Sequence, residues 1–264
     1  MGAPGLRAAF AVLAVIAMLA VALTPGAALG ERAQAGNLIV SLNGGIDPLE
    51  LPRHRSAPVG VHLQGEIRSE DGSALPRLDQ VRLELAGPGL LSTRGLPKCP
   101  GARLRNANSH QALHRCSAAL VGEGSVEASI FIPEQRPFTI RGKLLAFNGL
   151  AGGGHAAVWM HIFSYEPPIS LAVPFVREPG IGSFRTALVA SLPEWVGPYP
   201  HLAAFDLTLF RRFSYRGEVR SYASASCPVP KPFTAGFLSF ARATYSFDDE
   251  RRLSVESVRS CRAR

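Results

Sequence analysis

Apolar and polar residues alternate along most of this chain. Between Val59 and Arg68, the residues Val59, Val61, Leu63 and Ile67 share one face of an extended strand. His62, Gln64, Glu66 and Arg68 share the other. A period of two with one polar face predicts a half-buried antiparallel strand. The same signal recurs at Val81–Leu85, Val126–Ile132, Phe138–Phe147, Phe205–Leu209, Leu238–Phe247 and Leu253–Val258. Leu38–Leu42, Ile169–Val176, Phe184–Leu192 and Glu218–Ser226 read as further strands. Ala156–Ser164 is apolar on both faces and belongs in the middle of a sheet. Gly, Pro, Asn and Asp punctuate these runs at Asn43-Gly44-Gly45, Asp47-Pro48, Glu70–Ser73, Pro133–Pro137, Pro179–Gly182, Arg216-Gly217 and Asp248–Glu250. About eleven short strands with such turns predict an all-β antiparallel sandwich, jelly-roll-like or immunoglobulin-like.

One stretch departs from that period. Asn108 or Ser109 is placed to cap a helix from about His110 to Leu120, and Gly122 and Gly124 are placed to stop it. Cys116 falls on this helix and Cys99 in the loop before it. Gly149–Gly154 predicts a hairpin loop. Pro193–His201, with Trp195 and Tyr199, predicts another loop. Val81–Pro100 and Phe205–Pro228 resemble each other: each has an alternating strand, a serine, an Arg-Gly pair and a Cys-Pro. This pattern raises a duplicated half-sandwich with halves 57–148 and 155–264.

The N-terminus changes the compartment. A short start with Arg7 leads into the apolar run Ala8–Thr24, then Pro25-Gly26 and small residues. This is the layout of a secretory signal, and cleavage after Ala28 or after Ala35 fits it. The chain therefore divides into a signal peptide (1–35), an extended N-terminal segment (36–56) and a β-sandwich domain (57–264). Uncleaved, the same segment would be the chain's one membrane attachment. Four cysteines in an exported chain predict two disulfides. Of the three pairings we prefer Cys99–Cys116 and Cys227–Cys261, each close in sequence. With none of the four in a C-x-x-C pair, neither a zinc site nor a redox motif is expected.

The net charge is +8, from 28 Lys and Arg against 20 Asp and Glu, and only Lys98, Lys143 and Lys231 are lysines. Arginine in place of lysine, with abundant Ala, Gly and Pro, suits a GC-rich coding bias. Basic residues gather at Arg53 and Arg55, at Arg211, Arg212, Arg216 and Arg220, and at Arg251, Arg252, Arg259, Arg262 and Arg264. Phe210, Phe213, Tyr215 and Tyr222 interleave with the middle group. Such a surface suits an anionic polymer through charge and stacking. The simpler alternative is a solvated strand face.

Arg94-Gly95-Leu96-Pro97 before Cys99, Ala119–Gly124 after Cys116, Pro133-Glu134-Gln135 and Arg141–Asn148 resemble a family of exported actinobacterial proteins. Phe213–Gly217 and Cys227-Pro228 are similar to its C-terminal half. The resemblance spans most of the chain beyond the signal. It implies an exported architecture and transfers no catalytic residue.

Candidate chemistry is thin. Gly122-Glu123-Gly124-Ser125 lacks the second glycine of a nucleophile elbow and reads as a helix stop before a strand. His155 and His161 share a strand face with Trp159, but no local acid or cysteine supplies a third ligand. Glu123 and Glu127 are candidate paired carboxylates for sugar hydrolysis, and Asp248, Asp249 and Glu250 read as a hairpin tip. No catalytic residue, metal or cofactor is assigned. The chain reads as an exported, non-catalytic, secreted or cell-surface protein that binds or decorates the envelope, with an anionic or neutral envelope polymer as partner. An intracellular nucleic acid conflicts with the export signal. The alternative is a secreted hydrolase of envelope polysaccharide.

Overall fold

A computed structural model of the chain describes residues 31–192 and 200–264, and its compact unit runs from Glu31 to Arg264. In chain order the strands begin with β1 (Arg32–Ala35), β2 (Leu38–Asp47), β3 (Glu50–Leu51), β4 (Ala57–Pro58), β5 (Gly60–Ser69), β6 (Leu78–Ala86) and β7 (Leu90–Leu91). The helix α1 (Ser109–Cys116) follows, then β8 (Leu120–Ile130), β9 (Phe138–Leu150), β10 (Ala156–Tyr165), β11 (Pro168–Pro179) and β12 (Phe184–Ser191). The remaining strands are β13 (Pro200–Leu209), β14 (Arg212–Tyr215), β15 (Glu218–Ser221), β16 (Ala223–Ala225), β17 (Ala235–Phe247) and β18 (Arg252–Ala263). The fold is all-β, as the alternation predicts, and antiparallel except where β3 pairs with β18; among the described residues it has one short α-helix, tethered by a disulfide. Both disulfides, Cys99–Cys116 and Cys227–Cys261, are the sequence-local pairs.

Thirteen strands form one sheet in the order β1-β2-β5-β13-β8-β9-β10-β11-β12-β6-β17-β18-β3. Its apolar face is far too large for one helix to cover. The sheet instead curls until that face packs against itself, so the layers of the sandwich are opposed walls of a single sheet. Leu42 from β2, Leu63 from β5, Leu85 from β6, Val121 from β8 and Phe240 from β17 meet in one core. Strands of 57–148 and 155–264 alternate along the sheet: β13 lies between β5 and β8, and β6 between β12 and β17. Neither span builds the large sheet without the other.

The curl closes at a seam between β18 and the β1–β2 hairpin. Arg259 on β18 donates to the carbonyl of Gly44, the side chain of Asn43 and the carboxylate of Glu31. Arg251 donates to the carbonyl of Ala35 and to Asn37. A Cβ on Gly44 would lie 2.3 Å from the His62 carbonyl and 3.0 Å from the Phe240 ring. Asn43-Gly44-Gly45, expected as a turn, therefore continues β2 to Asp47 and lets the seam approach closely. The folded unit accordingly reaches well upstream of residue 57.

Helix α1 starts where expected. Asn108 caps it, accepting from the Gln111 amide while the Gln111 side chain accepts from the Asn108 amide. It ends at Cys116, and the chain enters β8 at Leu120. Gly122 and Gly124 are therefore strand residues and do not stop the helix. A Cβ at Gly122 would lie 2.4 Å from the Thr208 carbonyl, and one at Gly124 1.9 Å from the Asp206 carbonyl. These glycines permit close approach of β13.

The segment before and through α1 lies on the outer face of β9–β11. Leu104, Ala107 and Ala112 pack there on Leu145, Phe147 and Trp159. This cover explains why β10 is apolar on both faces: one side meets α1 and the other lines the interior. Trp159 lies against Gly101 and Gly149, where a Cβ would come within 2.3 and 2.6 Å of the indole.

A buried ion cluster ties three strands on the outside of the curl. Glu84 on β6, 2% exposed, accepts from Arg242 on β17 at 2.7 Å and from the Ile181 amide at 3.1 Å. Arg82 bridges to Glu178 at 2.8 Å, and the Arg242 guanidinium lies 4.5 Å over the Phe184 ring. Removing one member of a buried ion cluster strands the others. Glu84→Ala should lower unfolding free energy by about 3–5 kcal/mol in urea titrations. Asp249→Ala, at an exposed hairpin tip, should cost less than about 1 kcal/mol.

Candidate functional site

The curled sheet does not fill its own interior. A cavity of about 360 Å³ lies inside, walled by Leu63, Leu83, Val126, Leu144, Met160 and Val173. Alternation in β5, β6, β8, β9, β10 and β11 aims these side chains inward. The cavity extends toward one end of the curl, where Ala128, Ile140, Ser164, Leu192 and Pro200 line it. Ile169 also lines it there and is 36% exposed. Phe138 begins β9 and Tyr165 ends β10 at this same end, and both are exposed.

Two of the lining residues carry hydroxyls, and both oxygens are sealed from the space. Tyr245 on β17 is 0% exposed and Ser164 on β10 is 3% exposed. Neither hydroxyl has a hydrogen-bond partner among the described residues. Burial pushes the Tyr245 phenol above its ordinary range, so it stays a neutral hydroxyl. Among the described lining residues the one charged side chain is Arg77. It is engaged by Asp79 at 3.0 Å and Asp248 at 3.7 Å.

A second, polar groove of about 630 Å³ crosses β2, β5, β13 and β8 on the outside of the curl. Glu66 and Glu127 flank Ala204 from the two neighbouring strands. Two strand spacings put their backbones about 10 Å apart. Glu127 accepts from Arg141 at 2.7 Å, and Glu123, outside the groove lining, pairs with Lys143 at 3.3 Å. Asp206 accepts from Gln64 at 2.8 Å and lies 3.2 Å from His62. These bonds, Gln64 first, hold its carboxyl below the ordinary range. Nearby Asp71 is held well below that range by the hydroxyls of Ser69 and Ser73. Ser125 sits mid-strand in β8, opposite Asp206, and not on an elbow. The groove is a surface of paired and solvated charges.

The four arginines of the candidate anionic-ligand surface are divided by the β14–β15 hairpin. Arg216, at the turn, and Arg220 lie 5.4 and 5.1 Å over the Tyr215 ring, and Arg220 also bonds Glu218 at 3.0 Å. Arg212 pairs across the hairpin with Ser221 and projects from the opposite face. Arg211 is half-buried, its Nε without a partner among the described residues.

His155 and His161 do not meet at a site. His155 is exposed beside the glycine loop, whereas His161 is fully buried beneath the segment leading into α1. Its Nε2 lies 2.8 Å from the Ala107 carbonyl, which also accepts from Ser170. It therefore acts as a donor that anchors this segment on β10. Among the described residues, no three His, Cys, Asp or Glu side chains are grouped to hold a metal ion. Asp248, Asp249 and Glu250 form the β17–β18 tip as expected. The loop predicted at Pro193–His201, with Trp195 and Tyr199, lies outside the described residues except for Pro200 and His201, which open β13.

No protein-family model, no curated protein and no solved structure matches the chain.

Burial lowers the His161 pKa from its ordinary value of 6.5, so the ring is neutral in the folded protein at pH 7. On acidification the unfolded chain takes up the proton first. Stability is therefore lost as pH falls below about 6.5. His161→Gln removes this titration. In calorimetric scans from pH 7 to pH 5 its melting temperature should fall less steeply than that of wild type. Parallel curves would refute the assignment.

Proposed function

We propose that this protein is an exported, non-catalytic binding protein of the cell envelope, and that its ligand is an apolar molecule held inside the curled sheet. The observation that carries this reading is the interior cavity. Its volume lies within the range of small-molecule sites, about 300–1,000 Å³. It has an apolar lining and extends to one end of the curl.

Magnitudes favour an occupant. Cavities in protein cores cost about 24 cal/mol per Å³. At 360 Å³ that is about 9 kcal/mol, comparable to the whole stability of an ordinary domain. Water is a poor filler, because the apolar walls leave it few partners. An apolar ligand offsets the cost directly.

The two disulfides place the chain in an oxidising compartment. The signal-like Ala8–Thr24 run supports secretion or surface display. Among the described residues, no helix is long and apolar enough to cross a membrane. Of the two candidate cleavage sites, the fold favours Ala28. Cleavage after Ala35 would remove β1 and Glu31, and with them part of the seam held by Arg259. Intact-mass measurement of the exported protein should give an N-terminus at or before Glu31. A mature chain starting at Gly36 would overturn this.

The binding reading has its own test. Protein purified from its native envelope and extracted with organic solvent should release an apolar compound, identified by mass spectrometry. Ala128 faces inward where the cavity reaches the end of the curl. Ala128→Phe should retain the fold and both disulfides but release little or none of the compound. Equal yields from the two proteins would exclude the cavity as the site.

A further inference from the structure

The two ends of the curl differ in what they show to water. Of the eleven exposed large hydrophobic side chains among the described residues, Phe138, Tyr165 and Ile169 lie at the cavity's end. The other eight lie in segments at the opposite end, where Phe237 is 84% exposed and Phe233 63%. We infer that this opposite end docks on an anionic lipid bilayer, with Phe233 and Phe237 entering the headgroup region and Lys231 and Arg262 meeting lipid phosphates. This surface is separate from the cavity and needs no occupant there.

The patch is built around one rung of the sheet. Ala235 on β17 pairs with Arg262 on β18, and the Arg262 amide donates to the Leu49 carbonyl at 2.9 Å. Phe237 follows Ala235 by two residues along β17, so it shares the outer face with Arg262. Phe233 precedes Ala235 by two residues, and Leu49 is itself exposed. Three tethers hold the segment that carries Phe233. Cys227–Cys261 bonds its start to β18. Val229 packs on Gly236, where a Cβ would come within 2.3 Å of it. Arg53 donates to the carbonyls of Val229 and Phe233 at 2.7 and 2.9 Å. The two rings are thus held in water, where apolar area is unfavourable.

Charge selects the partner. Lys231 and Arg262 are exposed and form no ion pair among the described residues. With Arg53 and Arg55 they outnumber Asp47 and Glu50, which lie on the same corner. A second copy docked here would set like charges against each other. An anionic polysaccharide would answer the charge but offers no apolar medium to the two phenyl rings. A bilayer supplies both, a plane of phosphates with hydrocarbon just beneath it.

The test uses full-length exported protein, sedimented with vesicles of phosphatidylcholine alone or with about 30 mol% phosphatidylglycerol. The anionic vesicles should bind about tenfold or more tightly than the neutral ones, the order expected for two basic residues at such a surface. Phe233→Ser combined with Phe237→Ser should weaken that binding by about tenfold or more. Lys231→Gln combined with Arg262→Gln should remove most of the preference for phosphatidylglycerol. Tyr165→Ser, at the cavity's end, should change nothing. All five positions are exposed, so melting temperatures and both disulfides should match wild type.

No binding to either vesicle would overturn the inference. So would equal binding to both, or binding that survives both paired substitutions. Sedimentation velocity without lipid tests the second copy. Concentration-dependent dimers that the phenylalanine pair abolishes would assign the patch to self-association and overturn the bilayer. Retention on immobilised polyphosphate, undiminished by the phenylalanine pair and without vesicle binding, would assign it to an anionic polymer.

Discussion

A sheet with one apolar face must bury that face, and thirteen strands present more of it than any single covering element can hide. This constraint organises the molecule. The sheet curls upon itself, and the curl is tied by Arg259 on β18 and by Arg251 just before that strand, both reaching the β1–β2 hairpin. Glycines at 44, 122 and 124 permit the close strand approach that the curl requires. Along the outside, Glu84 holds β6 to β17 through Arg242, so the wall opposite the helix is pinned by charge. The helix side is pinned differently, by Cys99–Cys116 and by the buried His161.

Curling a sheet of this width has a geometric consequence. The circumference grows with strand number while side chains reach inward by a fixed length. Toward the seam, large residues such as Phe240 fill the gap. Near the β8–β11 wall, the inward positions include Ala128, Gly142 and Ser164, which are small, and the interior stays open. The cavity is therefore a product of wall size and side-chain choice together. Larger residues at those positions would have closed it.

Much of this fold was legible in the residues. Period-two alternation located the long strands because one face of each meets the interior and the other meets water. Ala156–Ser164 broke the alternation for a physical reason, its outer face being covered by the segment around α1. Cysteine spacing gave both disulfides because short loops close most readily. The failures were also physical. Asn43-Gly44-Gly45 and Gly122–Gly124 carry turn and stop chemistry, yet glycine equally serves a strand whose neighbour approaches too closely for a Cβ. A one-residue signal has two physical causes, and only the partner strand separates them.

The candidate site was not legible at all. Its walls are ordinary core residues, drawn from β5, β6, β8, β9, β10, β11, β13 and β17, and no local pattern distinguishes a valine facing a cavity from one facing another valine. The chemistry that drew attention along the chain, the arginines of 211–220 and the pair His155 and His161, proved to be spread over two faces or used in packing. What marks the cavity is visible only in three dimensions: inward positions contributed by many strands carry side chains too short to meet across the curl, and their apolar walls enclose a space that a fuller core would have closed.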